Sequence, residues 1–278
     1  MKLFSQSYGK QKVRFLRVLR AESLHEIFEV TAGIDLDGDF ETAYLSDDNS
    51  AVVATDTMKN TLLALAYRFQ GKTLEEYAIF VAAHFLEKYA HVHHVSLALE
   101  QKPWCRATLA GGPHPHTFEG ATAVSTARIV ATREMVALHG GIKNWQLLKT
   151  TDSGFAGFPR DEFTTLPETS DRILATEAAV EWQYLSPEAD FEMTRRDVVA
   201  ELLRVFAEHF SPSVQRTLFE MGEAALLAGP ALTKIKLTMP NKHYLPLNLT
   251  AFGAPGNQSL IFLPTEEPHG KIEATVMR

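Results

Sequence analysis

The chain has 278 residues, of which 45% are hydrophobic and 22% charged, and its net charge is −7. This composition is typical of a globular protein whose core is large enough to need no disulfides. The acidic balance argues against nucleic acid as the main partner, and no apolar run reaches the ~18 residues that a membrane-spanning helix needs. The single cysteine, Cys105, cannot pair within the chain, which favours a reducing compartment. The N-terminus has no apolar signal core and the C-terminal residues "TVMR" are not a peroxisomal address, so we expect a cytoplasmic protein.

The first half of the chain predicts two strands, two helices and two further strands. Residues 11–20 carry basic side chains and indicate an edge strand, and residues 25–40 alternate with a period of two. The apolar face of this second strand would comprise Phe28, Val30, Ala32, Ile34 and Leu36. Residues 56–71 have apolar side chains at helical spacing, with Asp56 in the N-cap region. A second helix would begin at Thr73, where Glu76 completes a capping box. The strands would follow at 95–102 and 121–135.

The second half repeats this order of elements more loosely. Strands are predicted at 144–151 and 171–185, and helices at 194–210 and 212–229. Three strands close the chain, at 232–239, 258–264 and 271–278. Strands and helices in blocks predict an α+β fold in which helices cover one face of an antiparallel sheet. We place the boundary between two domains near residues 138–141.

Two histidine groups lie at 91–94 ("HVHH") and 114–116 ("HPH"). Imidazoles at i and i+2 on a strand can ligate a metal, but the chain has neither a cysteine pair nor an HExxH helix. The alternative is that His91, His93, His94, His114 and His116 form local hydrogen bonds.

The stretch 150–174 is a long connection with two glycines, two prolines, three phenylalanines and two arginines. Connections of this length in compact domains are usually functional or disordered, and three aromatic residues disfavour disorder. A phenylalanine ring can stack on a flat heterocycle and an arginine fork can bind its carbonyl groups. The alternative is that Phe155 only pins the loop to the core and that Arg172 forms a salt bridge.

Three other positions allow both a chemical and a structural interpretation. Gln215, in the first turn of a helix, can present a donor and an acceptor to a heterocycle, or it is simply solvated. Lys10 follows a glycine and is either functional or one of many surface lysines. Asn241 and His243 interrupt an apolar strand at "TMPNKHYLPLNL" (238–249), which indicates either a surface turn or polar groups directed into a pocket.

Together these stretches resemble the urate oxidase (uricase) family along nearly the whole chain. Six motifs carry the resemblance in family order: "YGK" at 8–10, "ATD" at 54–56 with "KNT" at 59–61, "PHPH" at 113–116, "GFPRDEFTTLPETSDRIL" at 157–174, "SVQ" at 213–215 and "PNKHY" at 240–244. The departures are Thr57, where serine is common, and the lack of a peroxisomal tail.

The resemblance implies two tandem tunnelling-fold domains, 1–138 and 139–278, each with a four-stranded antiparallel sheet backed by two helices. Subunits of this family close β-barrels that stack into a homotetramer around a tunnel. The implied reaction is the oxidation of urate by O₂ and water to 5-hydroxyisourate and H₂O₂, without a metal or an organic cofactor. The implied partners are urate, O₂ and other copies of the chain, with no nucleic acid or membrane.

The resemblance also implies site residues. Phe155 would stack on the purine, Arg172 and Gln215 would bind its edge together with the Val214 backbone, and Asn241 would hold O₂ or water above the ring. Lys10 and Thr55, with His243, would form a proton relay, and Asp56 would bind substrate through its backbone. In the family Lys10, Thr55 and Asp56 come from the neighbouring subunit. Lys242, between Asn241 and His243, would point the other way and be structural or interfacial.

Two other functions fit parts of the sequence. One is a purine or pteridine hydrolase of the same fold that uses a histidine-bound zinc. The other is a purine-binding protein that keeps the purine-binding residues Arg172 and Gln215 and lacks the proton relay, although the presence of Lys10, Thr55 and His243 argues against it.

Overall fold

The computed structural model describes residues 2–253 and 260–278. The chain divides into two compact units. Unit 1 comprises Met1–Ile142 and Trp182–Met193, and unit 2 comprises Lys143–Glu181 and Thr194–Arg278. The expected domain boundary at 138/139 falls within a continuous strand, Val136–Lys149, and the domain limits remain a prediction.

Unit 1 is built on an antiparallel sheet covered by two helices. Its elements are β1 (Tyr8–Arg20), β2 (His25–Gly38), α1 (Glu41–Leu45), α2 (Thr55–Arg68), α3 (Leu74–Lys88), β3 (Val92–Gln101), β4 (Trp104–Leu109), β5 (Gly112–Gly120), β6 (Val124–Ala131) and the first part of β7 (Val136–Lys149). The sheet order is β1-β2-β3-β6-β7, and the first three of these pairings are antiparallel. Helix α2 packs on β1, and α3 packs on β3 and β6.

Unit 2 has the same general organisation. It contains the rest of β7, most of β8 (Leu174–Tyr184), α4 (Phe191–Glu208), α5 (Val214–Ala228), β9 (Leu232–Pro246), a short 3₁₀ turn (Thr250–Phe252) and β10 (Phe262–Met277). The sheet order is β7-β8-β9-β10, with β9 and β10 antiparallel and α5 packed on both. The predicted α+β class with antiparallel sheets is therefore confirmed. No helix in the described part of the chain is both long and apolar enough to cross a bilayer.

Alternation in the sequence accounts for β2 and its place in the core. Phe28, Val30, Ala32, Ile34 and Leu36 are all buried. The Phe28 ring packs against Tyr77 of α3, with ring centroids 6.3 Å apart, and Met58 and Leu62 of α2 and Tyr77 and Phe85 of α3 are fully buried. A strand with one apolar face can bury it only against another element, and the two helices supply that element.

The capping box predicted for α3 is present. The Thr73 hydroxyl accepts a hydrogen bond from the Glu76 N–H at 3.2 Å, and the Glu76 carboxylate accepts one from the Thr73 N–H at 2.9 Å. The predicted role of Asp56 at the N-cap of α2 is wrong, because the helix begins at Thr55 and Ala54 is its N-cap. The Asp56 carboxylate instead accepts hydrogen bonds within its own helix, from Lys59 and Asn60.

Three predictions about strands are also corrected. Strand β9 does not end near Pro240 but continues to Pro246, because β10 pairs with it on both sides of Lys242, with a register shift in β10 between Thr265 and Gly270. The two predicted C-terminal strands are one strand, β10, although residues 258 and 259 of the first lie outside the described residues. The hairpin β4–β5 was not predicted.

Candidate active site

The long connection of unit 2 is held between two other segments by main-chain hydrogen bonds. The Gly154 N–H donates to the Ser211 carbonyl at 2.8 Å, and the Ser211 N–H donates to the Asp152 carbonyl at 2.8 Å. Phe155 and Thr169 exchange two further main-chain bonds, at 2.8 and 3.0 Å. We call residues 152–155, 169–172 and 211–215 the clamp junction, because these bonds bring together the segments that carry Phe155, Arg172 and the start of α5.

The centre of the clamp junction leaves little room for a side chain at Gly154. A Cβ atom at residue 154 would lie 3.1 Å from the Thr169 carbonyl oxygen and 3.3 Å from that of Ser170. Both neighbours in the bridge, Ser153 and Ser211, are fully buried. Backbone segments can approach this closely only where no side chain intervenes. In the sequence, the only signal for Gly154 is its position directly before Phe155.

Phe155 and Arg172 form the aromatic and cationic parts of the junction. The half-buried Phe155 ring stacks on Phe158, with ring centroids 4.9 Å apart and planes 12° from parallel. The Arg172 guanidinium carbon lies 5.8 Å from the Phe155 ring centroid. An arginine beside an aromatic face can bind a flat ligand both by its edge and by its face.

The electrostatic environment of Arg172 favours an anionic ligand. Its Nε is buried without a hydrogen-bond partner, and within the described ranges Arg172 makes no ion pair. Burial lowers the pKa of the Arg172 guanidinium. A buried charge is costly when it lacks a partner, so an anion bound here would offset that cost.

The start of α5 adds hydrogen-bonding groups to the junction. Ser213 is the N-cap, and its hydroxyl accepts from the Arg216 N–H at 3.2 Å. Val214 is buried at the first helical position, and Gln215 beside it is exposed. The first N–H groups of a helix have no partner inside the helix and lie at the positive end of its dipole. This geometry can bind the polar edge of an anionic ligand.

Asn241 and His243 lie on the same side of β9 and are half-buried. Asn241 is opposite Gly270 and His243 opposite Thr265, on either side of the register shift in β10. The Thr265 hydroxyl donates to the His243 carbonyl at 3.1 Å. Helix α5 packs on β9, but among the residues described no hydrogen bond joins Asn241 or His243 to the clamp junction.

Lys242 points to the other side of β9 and pairs with Glu177 of β8. Its Nζ lies 3.2 Å from the Glu177 carboxylate, and both side chains are partly buried. This ion pair agrees with the expectation that Lys242 has a structural role.

The three remaining predicted residues, Lys10, Thr55 and Asp56, belong to unit 1. The Tyr8 hydroxyl connects their segments, since it accepts from the Val53 N–H at 2.7 Å and donates to the Val53 carbonyl at 3.1 Å. Tyr8 precedes Lys10 by two residues, and Val53 precedes Thr55 by two. Burial raises the pKa of Tyr8, which favours the neutral phenol that the bond donated to the Val53 carbonyl requires.

A β-bulge follows Lys10 directly. The register between β1 and β2 shifts between Lys10 and Val13, and Lys12 has a φ of 58°. The Gln11 amide donates to both carboxylate oxygens of Asp35, at 3.0 and 2.9 Å, which holds the bulge against β2. Bulges redirect the side chains beside them and are common next to active sites.

Lys10 and Asp56 are close enough to interact electrostatically. The hydrogen bond and charge of Lys59 lower the pKa of the Asp56 carboxyl, and Lys10 adds a smaller effect of the same sign. Lys10 and Thr55 are both half-buried, but within the described part of unit 1 no hydrogen bond joins them.

The histidine groups make local contacts. His93 Nε2 lies 2.9 Å from an Asp39 carboxylate oxygen, and His94 Nδ1 lies 3.3 Å from Asp37. The His114 and His116 rings pack edge to face, with centroids 4.6 Å apart. Across residues 2–253 and 260–278, no group of three or more His, Cys, Asp or Glu side chains is arranged to hold a metal ion.

Fold and clamp junction together define a protein of two α+β units whose second unit is suited to a planar, anionic ligand. Comparison with known proteins identifies the family. The sequence model of the uricase family matches residues 6–129 and 138–273, and the chain belongs to this family.

Similar proteins cover almost the whole chain. The uricase of Arthrobacter globiformis is 39% identical over 277 residues, which are 99% of this chain and 90% of that protein. Uricase-2 of Phaseolus vulgaris is 39% identical over 99% of this chain and 95% of its own length. The crystal structure of the A. globiformis uricase superposes with a TM-score of 0.93 at 38% identity, covering all of this chain and 95% of the other.

Proposed function

We propose that this protein is a urate oxidase that converts urate, O₂ and water to 5-hydroxyisourate and H₂O₂. The observation that carries the proposal is the half-buried Arg172 side chain, with its Nε buried and unbonded and without an ion pair in the described structure, beside the Phe155 ring in a chain of the uricase family. Urate is a flat anion, so it offers a charge to the guanidinium and a face to the ring.

The proposed binding mode uses the clamp junction and the start of α5. Arg172 and Gln215 bind the carbonyl and nitrogen edge of urate, with a contribution from the Val214 backbone, and Phe155 stacks on the purine. Hydrogen bonds from a charged donor are shorter and stronger than neutral ones, so Arg172 contributes most to the binding of the anion. Asn241 holds O₂ or water over the ring, where proximity of the second reactant accelerates the reaction.

The proposed proton transfer uses Lys10, Thr55 and His243. Urate that loses a further proton is a better reductant for O₂, so proton removal is the step that the protein must assist. The Thr55 hydroxyl can accept and donate a proton at once, which suits a relay between Lys10 and the substrate. Asp56 binds the substrate through its backbone. We propose that neither a metal nor an organic cofactor takes part.

We further propose that the active protein is a cytoplasmic homotetramer with a β-barrel tunnel and sites built from two subunits. The support is the family resemblance and the division of the predicted residues, with Lys10, Thr55 and Asp56 in unit 1 and the other six in unit 2.

The reaction is tested by oxygen uptake. Purified protein, treated with chelator, is expected to consume O₂ when urate is added and to release an equal amount of H₂O₂. A protein that binds urate without consuming O₂, or that regains activity only when a metal is returned, would contradict the proposal.

The relay is tested by substitution of Thr55. Thr55→Val keeps the shape and removes the hydroxyl, and it should lower kcat by about 10²- to 10⁴-fold. Thr55→Ser keeps the hydroxyl and should retain most of the activity, and Thr57→Val is the matched surface control. Binding of an unreactive xanthine analogue should change less than about threefold, because the relay residues act after binding. A change confined to binding would refute the relay.

The shared site is tested by co-expression of two inactive chains, one with Thr55→Val and one with Arg172→Gln. If each site combines unit 1 of one subunit with unit 2 of another, a mixed pair contains one intact site. Random mixing would then restore about a quarter of the wild-type activity, since half of the pairs are mixed and each has one intact site of two. Sites built within single chains would restore none.

A further inference from the structure

The turn before Arg172 is closed by the side chain of Thr169. Its hydroxyl donates to the Asp171 carbonyl at 2.7 Å and accepts from the Asp171 N–H at 3.3 Å. The Thr169 backbone is bonded twice to Phe155. Four hydrogen bonds among Phe155, Thr169 and Asp171 therefore fix the course of the chain from Thr169 to Arg172.

The Asp171 carboxylate is hydrogen-bonded to a residue other than its neighbour Arg172. The Thr151 hydroxyl donates to Asp171 Oδ2 at 2.9 Å, across the two ends of the long connection. In the described ranges Arg172 forms no ion pair, although a carboxylate is adjacent to it in the chain. The acid next to Arg172 in the sequence is thus bonded to Thr151, and the Arg172 guanidinium remains available to bind an anionic ligand.

The hydrogen bond from Thr151 to the Asp171 carboxylate affects how Arg172 can bind an anionic ligand. A free Asp171 carboxylate would be attracted to the guanidinium and would compete with the ligand for the same donors. An arginine that is already paired binds an incoming anion more weakly, because the existing pair must be broken first.

We propose that Thr151, Thr169 and Asp171 are positioning residues that place the Arg172 guanidinium and keep it unpaired for the substrate. We call these three residues the Arg172 brace. The inference rests on the proposed function, because it assigns the brace to the binding of urate. None of the three residues needs to touch the substrate.

The first test removes the donor that holds the Asp171 carboxylate. Thr151→Val keeps the shape of the side chain, and it should raise the KM for urate by about three- to tenfold, the loss expected for one hydrogen bond. The inhibition constant of an unreactive xanthine analogue should rise in parallel, and kcat should stay within about twofold, because ground-state and transition-state binding weaken together. Thr151→Ser retains the hydroxyl and should restore the wild-type KM. The matched control is Thr165→Val, an exposed threonine of the same connection.

A second substitution separates competition from simple loss of structure. In the Thr151→Val background, Asp171→Ala removes the competing carboxylate and should lower the raised KM again. Thr169→Val, compared with Thr169→Ser, tests the turn in the same assay and serves if a Thr151 variant does not fold. Thermal unfolding of each variant shows whether the change in KM is independent of stability.

The outcomes are distinct. A wild-type protein that does not oxidise urate would overturn the proposed function. A wild-type protein that oxidises urate, with unchanged KM in Thr151→Val and Thr169→Val, would overturn the brace alone. A Thr151→Val defect that Asp171→Ala makes worse would also overturn it, because the carboxylate would then help binding directly.

Discussion

Replacement of Arg172 by glutamine tests the central assumption about the site. Glutamine keeps hydrogen-bonding groups of similar reach and removes the charge and the planar fork. Arg172 lies beside the Phe155 ring with its Nε buried and unbonded, so its contribution to the fold through polar contacts is small. We therefore expect a large loss of activity with little loss of stability.

The magnitude follows from the hydrogen bonds that the guanidinium can make. Two bonds from a charged donor to an anion contribute about 1.5–3 kcal/mol each, or about 3–6 kcal/mol together. At about 1.4 kcal/mol for each factor of ten, kcat/KM for urate should fall by about 10²- to 10⁴-fold. Arg172→Lys keeps the charge without the fork and should give an intermediate loss.

The assay is the initial rate of urate loss over a range of urate concentrations, with thermal unfolding measured on the same samples. Arg160→Gln is the matched control. Arg160 belongs to the same connection and its guanidinium carbon also lies 5.8 Å from a phenylalanine ring, that of Phe158, but its side chain is exposed. Its replacement should change kcat/KM less than about threefold.

Two results would refute the reasoning. Activity of Arg172→Gln within about threefold of the wild type would show that the guanidinium does not bind the substrate. An equal loss in Arg160→Gln would show that the effect comes from the loop as a whole.

Three further predictions concern stability. Gly140→Ala places a Cβ within 2.8 Å of three polar side-chain atoms and should destabilise the protein by about 1–3 kcal/mol in urea unfolding, whereas Gly111→Ala, with nothing within 4 Å, should be nearly neutral. Because burial raises the pKa of Tyr8, the contribution of Tyr8 to the free energy of unfolding is complete below pH 10 and is lost as the pH rises through the folded-state pKa. Tyr8→Phe should lessen this loss of stability at alkaline pH and should lower the urea midpoint by removing both bonds to Val53. An unchanged alkaline profile would contradict the prediction. Burial lowers the pKa of His209, so the contribution of His209 to the free energy of unfolding is present above pH 6.5 and is lost as the pH falls through the folded-state pKa. The difference between the urea midpoints at pH 7.5 and 5.5 should be smaller in His209→Gln than in the wild type. An equal difference in the two proteins would contradict the prediction.

The elements that the sequence predicted correctly are those whose signal is local. Alternation located β2, helical spacing located α2, and the pair Thr73 and Glu76 located the start of α3. In each case the residues that form the hydrogen bonds or the apolar face are within a few positions of one another, so the pattern is visible in the sequence.

The misses concern elements that are held by contacts outside the local sequence pattern. Strand β9 continues past Pro240 because β10 pairs with it there, and the paired residues are 16 to 29 positions apart in the chain. The hairpin β4–β5 is short and rich in glycine and proline, and Arg106 holds it by donating to the His114 and Pro115 carbonyls and to that of His25. Neither the pairing of β9 with β10 nor the hydrogen bonds of Arg106 produce a periodic pattern in the sequence.

For the site, the sequence supplied the residue types and the family, because each motif that carries Lys10, Arg172 or Asn241 is an unbroken run of residues in the sequence. Only the tertiary structure decided that Ser211 bonds the segment before Phe155 while Thr169 bonds Phe155 itself, and that little room is left for a side chain at Gly154. It also decided that Arg172 is left without an ion pair in the described structure. The physical reason is that close backbone approach and the choice of partner for a buried charge depend on which distant segments meet. The local residue pattern and the residue propensities do not show which distant segments come into contact.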